Sequence, residues 1–237
     1  MRAAAARPAL RGARPQGPGG PLRRHRDFRL LWCGQTTAKF GTAVGGVAMP
    51  LVALTALRAD TFEVGVVGAA AWLPWLLVGL PAGAWVDRLP RRAVMVCADV
   101  AALVLFGSVP VAAWCGVLTM AHLLAVALLG GVAAVFFQTA YSACLPGLLD
   151  PRDQAEGNAR LHGSASAAQI AGQSAGGLLA QAAGAGDGLA ANAAGFAVSL
   201  LCLARIRHRE PPRTARRDGT RLRHEVAVGL RLVLGDR

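Results

Sequence analysis

The sequence predicts an all-α integral membrane protein of six transmembrane helices, arranged as two three-helix repeats. Three observations lead there. Of 237 residues, 54% are hydrophobic and 16% charged, whereas a soluble domain carries about 25% charged residues. The apolar residues gather into six runs, each near the roughly 20 residues that a bilayer-spanning helix needs. The basic residues sit at the two ends and in alternate links, the bias that orients membrane helices.

In chain order the runs are 36–57, 64–86, 93–113, 118–141, 161–183 and 189–206. A short, mildly acidic link, Arg58-Ala59-Asp60-Thr61-Phe62-Glu63, follows the first. The second link, from Asp87 to Arg92, is basic. The third, around Trp114 to Gly116, carries no charge and predicts a tight helical pair. The fourth, from Leu145 to Arg160, is long and polar, and the fifth carries only Asp187. The fifth run is the least apolar, being rich in Gly, Ser, Ala and Gln; the sixth is short and cleanly apolar after Asn192. All 25 Lys and Arg residues lie at the ends or in the second and fourth links, except Lys39 and Arg58. With both ends on one side, the count of spans is even, and the arginine-bearing side is cytoplasmic.

Residues 1–26, rich in Arg, Pro, Gly and Ala, have no apolar core and read as a disordered cytoplasmic tail, not a signal peptide. Residues 27–206 form the membrane domain. Residues 207–237 form a basic cytoplasmic loop, in which 224–234 spaces its apolar side chains three and four apart. That spacing predicts an amphipathic helix along the inner membrane face. The two groups 36–113 and 118–206 suit the internal repeats from which carriers are built.

Other classes fit poorly. A net charge of +12 suits nucleic acid, but its placement follows membrane topology, so no nucleic-acid partner is expected. Cys33, Cys97, Cys115, Cys144 and Cys202 have no paired spacing. They read as small apolar fillers, with no metal site or cofactor implied. Gly172-Gln173-Ser174-Ala175-Gly176 fits the nucleophile-elbow expression, which requires a strand-to-helix turn with a histidine and an acid nearby. Here it lies mid-helix, with His162 ten residues back and no acid in company. The chain does not read as an enzyme.

The strongest local signal is Gly83-Ala84-Trp85-Val86-Asp87-Arg88-Leu89-Pro90-Arg91-Arg92. Asp87 ends one helix while Arg91 and Arg92 begin the next, each on the wrong end for the helix dipole. Such charges answer to one another or to another helix end. Gly79 and Gly83 give a small-residue face for close backbone approach. This stretch resembles the loop between helices two and three of the major facilitator superfamily, Gly-x-x-x-Asp-Arg-x-x-Arg-Arg, with Pro90 where glycine is usual. The resemblance implies a cytoplasmic gate made by Gly83, Asp87, Arg88, Arg91 and Arg92, with Asp87 engaging a helix of the C-terminal half.

The likeness continues along the chain. Asp27-Phe28-Arg29-Leu30-Leu31-Trp32-Cys33-Gly34-Gln35 resembles the family's entry into helix one. Leu145-Pro146-Gly147-Leu148-Leu149, with Glu156, Asn158, Arg160 and Leu161, is similar to the link between helices four and five of the drug- and siderophore-exporter branch. Gly172, Gln173, Gly176 and Gly177 resemble that branch's helix-five motif, Gly-Pro-x-x-Gly-Gly, with Gln173 replacing proline.

Two ionisable residues fall inside predicted spans, Lys39 and Asp99. Charge in hydrocarbon costs several kcal/mol, roughly, unless paired or hydrated. Lys39, about a turn from the start of its apolar run, is a candidate for coupling or substrate contact or is placed to snorkel. Asp99 is deeper and is the first candidate for proton coupling or substrate contact, with a buried structural hydrogen bond as the alternative. Gln35 and Gln138, with Tyr141 and Gln169, are candidates for a polar cavity wall or for helix-packing hydrogen bonds.

Carriers of this family hold substrate between two six-helix halves. The expectation is therefore transmembrane transport by proton-coupled efflux of a small molecule across the plasma membrane. The chain reads as the N-terminal half or a truncated form, completed by a C-terminal half or a second copy. The alternative is a non-transporting six-helix membrane protein acting as an interaction or regulatory subunit.

Overall fold

A computed structural model describes residues 26–206, apart from positions 150, 152, 183 and 184. The two tails, including the amphipathic helix expected at 224–234, lie outside the described residues. Six α-helices follow one another: α1 Arg26–Ala56, α2 Thr61–Val86, α3 Arg91–Trp114, α4 Met120–Leu148, α5 Gln154–Ala182 and α6 Ala185–Arg205. Five of them are long and apolar enough to cross a membrane; α5 is not.

Direction can be read from named contacts. Trp32 and Thr36 of α1 meet Ser164 of α5, Phe40 and Ala43 meet Gly172, and Val44 and Val47 meet Gly176. Both numberings rise together, so α5 runs parallel to α1 over a long stretch of the same span despite its modest hydropathy. Gly34 meets Ser199 and Cys202 of α6, Gly45 meets Asn192, and Ala48 meets Gly188. Here one numbering falls as the other rises, and α6 is antiparallel to α1.

The helix pairings carry an internal two-fold relation. The main partners are α1 with α6 and α5, α4 with α3 and α2, and α3 with α6. Exchanging α1–α3 for α4–α6 turns α1·α6 into α4·α3 and α1·α5 into α4·α2, and leaves α3·α6 unchanged. With three helices each, successive units enter the membrane from opposite sides. The expected pair of three-helix repeats is present, in inverted orientation.

Two apolar clusters close the bundle at its ends. One joins Phe28 and Leu31 of α1, Val86, Met95, Ala140, Leu145, Leu161 and Leu203, taking side chains from all six helices. The other joins Met49, Val52, Val67, Val109, Leu123, Val126 and Leu189. The first cluster lies at the arginine-bearing end, and it explains where the helices outrun the sequence reading. α1 starts at Arg26 rather than 36, α4 continues to Leu148 rather than 141, and α5 starts at Gln154 rather than 161. These extra turns bury Phe28, Leu31 and Leu145 and bring α5 onto the cluster at Leu161. The expected long polar link from 145 to 160 is correspondingly reduced to 149–153.

At the opposite end, short links are fixed by capping. Asp60 accepts from the Glu63 N–H at 2.7 Å, and Glu63 accepts from the Asp60 N–H at 3.1 Å, the reciprocal pairing of a capping box. Helix α3 ends with Gly116 at φ 70°. The Gly116 and Val117 N–H groups donate to Ala113 and Ala112 at 3.1 and 3.0 Å, a Schellman closure that needs a left-handed residue. Thr119 then caps α4 by accepting from the His122 N–H at 3.2 Å. Gly116→Ala is expected to cost about 1–2 kcal/mol, the penalty for an L-residue in that conformation. A fall in melting temperature in mild detergent is the readout; an unchanged value would contradict the assignment.

Candidate functional site

The centre of the bundle is built on a seam of small residues. Gly34, Ala38, Gly41 and Gly45 recur at spacings of four, three and four along α1. On α6, Gly188, Asn192, Gly195, Ser199 and Cys202 do the same. A methyl on Gly41 would lie 3.1 Å from the Asn192 carbonyl oxygen, and one on Gly195 would lie 3.0 Å from that of Thr37. Such close backbones are how membrane helices gain packing energy without a hydrophobic driving force. Gly172 and Gly176 of the helix-five motif form a second seam against the other side of α1. Gln173 is exposed, and nothing lies within 4 Å of a methyl placed on Gly177.

Behind the first seam, polar groups are enclosed between the two apolar clusters. Asp99 of α3 is 2% exposed and has Ser199 of α6 as its side-chain hydrogen-bond partner. Its Oδ2 has no partner among the described residues, and neither does Oδ1 of Asn192, which is 1% exposed. Buried polar atoms normally find partners, so these two orphans, Asp99 bonded to Ser199 of α6 and Asn192 of α6 packed on Gly45 of α1, mark the surroundings of α6 as the polar heart of the half-bundle. Neither Asn192 nor Ser199 is among the candidate site residues that the sequence suggests. Their seven-residue spacing within the small-residue row was the available signal.

At the arginine end, the misplaced charges of Arg91 and Arg92 have partners. The Arg92 Nε donates to the Leu203 carbonyl at 3.2 Å and its Nη2 to that of Ala204 at 2.8 Å. The Arg91 guanidinium donates to the Ala143 carbonyl. Arg92 therefore reaches the closing turn of α6, where the negative dipole end attracts cations, and Arg91 reaches α4 five residues before its end at Leu148. Asp87 is the exposed C-cap of α2, its backbone N–H bonded to Gly83 at 3.0 Å. Arg88 is exposed. The close backbone approach expected at Gly79 and Gly83 is not made within the described chain: a methyl at either would meet nothing within 4 Å. Helix α2 packs chiefly on α4 and leaves that face open.

The remaining candidates separate. Because α1 starts at Arg26, Lys39 lies 13 residues into the helix, about 20 Å along its axis at 1.5 Å per residue. It is half-buried and does not sit near a helix end as the sequence reading placed it. Gln35 is buried at 8% exposure. Gln138 of α4 is half-buried and bonds Ser142 of its own helix at 3.5 Å. Among the described residues no hydrogen bond or ion pair joins Asp99, Lys39, Gln35 and Gln138. No group of three or more potential metal ligands occurs among the described residues.

An all-helical membrane bundle of two inverted three-helix units, with a buried carboxyl between them, defines a membrane transporter. Residues 16–234 match the family model described as transmembrane secretion effector, and the chain belongs to this family of the major facilitator superfamily. The chain has no match among curated proteins.

Proposed function

We propose that this chain forms the N-terminal half of a proton-coupled exporter of a small molecule in the plasma membrane, with its arginine-bearing end cytoplasmic. The inverted pair of three-helix units carries this reading, because such a pair builds one six-helix half of a carrier, and two halves rocking about a midplane site alternate access. The placement of arginines supports the orientation. Helices α2 and α5, each packed mainly on one neighbour, leave faces for a second six-helix unit, a C-terminal half or another copy. Asp99 supplies the titratable group: a carboxyl enclosed at mid-bundle with an unpartnered oxygen is suited to gain and lose a proton as its surroundings change.

The test is reconstitution in proteoliposomes under an imposed pH gradient, with entrapped fluorescent anions and cations as candidate cargo. Gradient-driven flux by the wild type is expected, with Asp99→Asn reducing it at least about tenfold, in keeping with loss of a proton-transfer group, while membrane insertion is unchanged. Equal flux from both proteins would remove Asp99 from coupling. A monodisperse monomer that moves no cargo would instead favour the non-transporting interaction subunit.

A further inference from the structure

Helix α1 has three faces. One, with Gly34, Gly41 and Gly45, meets α6; a second, with Phe40, Ala43, Val44 and Val47, meets α5. The third carries Gln35, Lys39, Thr42 and Gly46 at helical spacing, and a methyl on Gly46 would meet nothing within 4 Å. The α1/α5 contacts set the register: Thr36 with Ser164 and Ala43 with Gly172 put Lys39 level with Gln169. Gln173 follows one turn on. Because the helices are parallel and turn 100° per residue, Gln169 and Gln173 emerge on the same side of the pair as Lys39.

Gln169 and Gln173 are exposed, and among the described residues no hydrogen bond occupies their amides or the Lys39 ammonium. Hydrocarbon does not accept such groups unpaired, so this side of the pair faces protein or water. The same row explains why α5 falls short of the hydropathy of a lipid-facing span. Lys39 offers three donors and a full charge, and each glutamine adds an amide N–H₂. Among the described residues no carboxylate pairs with Lys39, and Asp99 is engaged elsewhere, with Ser199 on the α3/α6 seam.

We propose that Lys39, Gln169 and Gln173, with Gln35 one turn nearer the arginine end, form an anion-binding wall, and that the cargo carries a carboxylate or similar oxyanion. This rests on the transporter reading above. The chain in lipid nanodiscs, titrated against 5-carboxyfluorescein by fluorescence anisotropy, tests it without any flux. Lys39→Gln is expected to weaken binding at least about tenfold, the scale of one charge-assisted hydrogen bond. Lys39→Arg should retain the affinity within about threefold, since charge and donors persist. Joint Gln169→Leu and Gln173→Leu should weaken it several-fold, and cationic rhodamine 6G should be indifferent to all of these changes. No binding of the anion by the wild type, or equal binding by Lys39→Gln, overturns the proposal. A chain that binds the anion yet moves nothing sustains the wall and defeats the exporter reading.

Discussion

Gly172→Leu is expected to force α5 away from α1 and to destabilise the bundle by about 3 kcal/mol, the upper end for overpacking a tight contact. A Cβ at this position would lie 2.6 Å from the Phe40 carbonyl oxygen and 2.7 Å from the Ala43 Cβ. Neither neighbour can yield, because one is backbone and the other a methyl fixed to it. The matched control is Gly177→Leu in the same motif, where nothing lies within 4 Å and the cost should stay within about 0.5 kcal/mol. Melting temperature in mild detergent separates them. Equal losses would mean that α5 does not pack on α1 through Gly172.

Arg92→Ala carries the second large effect. It removes two hydrogen bonds from a guanidinium to carbonyls in the closing turn of α6. Hydrogen bonds to charged groups contribute about 1.5–3 kcal/mol, so a loss of about 2–3 kcal/mol is expected once water partly replaces the donor. Arg92→Lys should restore only part of it, because an ammonium cannot fork to Leu203 and Ala204 as the planar guanidinium does. Arg88→Ala, at an exposed position, should be nearly neutral. The comparison also separates packing from topology, since all three changes sit in one basic loop. If Arg92→Ala and Arg88→Ala melt alike, the loop's arginines act only through orientation.

Sequence reading succeeded where physics is local. Composition and run length located each of the six helices among the described residues. The uncharged link at Trp114–Gly116 became the predicted tight pair, closed by a left-handed glycine. The wrong-end charges at Arg91 and Arg92 left two kinds of partner open, one another or another helix end, and no rule within the loop could name Ala143, Leu203 and Ala204. Errors came where tertiary burial extends a helix beyond its apolar core. Phe28 and Leu31 draw α1 ten residues further than its hydropathy suggests, which moves Lys39 from a helix end to the interior.

The sequence by itself determined that this protein lives in a bilayer and how many helices lie within its described residues. Those properties follow from the cost of burying charge and unpaired backbone in hydrocarbon, a sum over residues that needs no partner. Only the tertiary structure decided which small-residue faces meet, and so that Asp99 of α3 and Asn192 of α6 are enclosed while Lys39 and Gln169 share an open side. Close packing is a relation between two helices in a definite register. The same Gly-x-x-x-Gly spacing that marks Gly172 and Gly176 as a seam also marks Gly79 and Gly83, which meet no neighbour among the described residues.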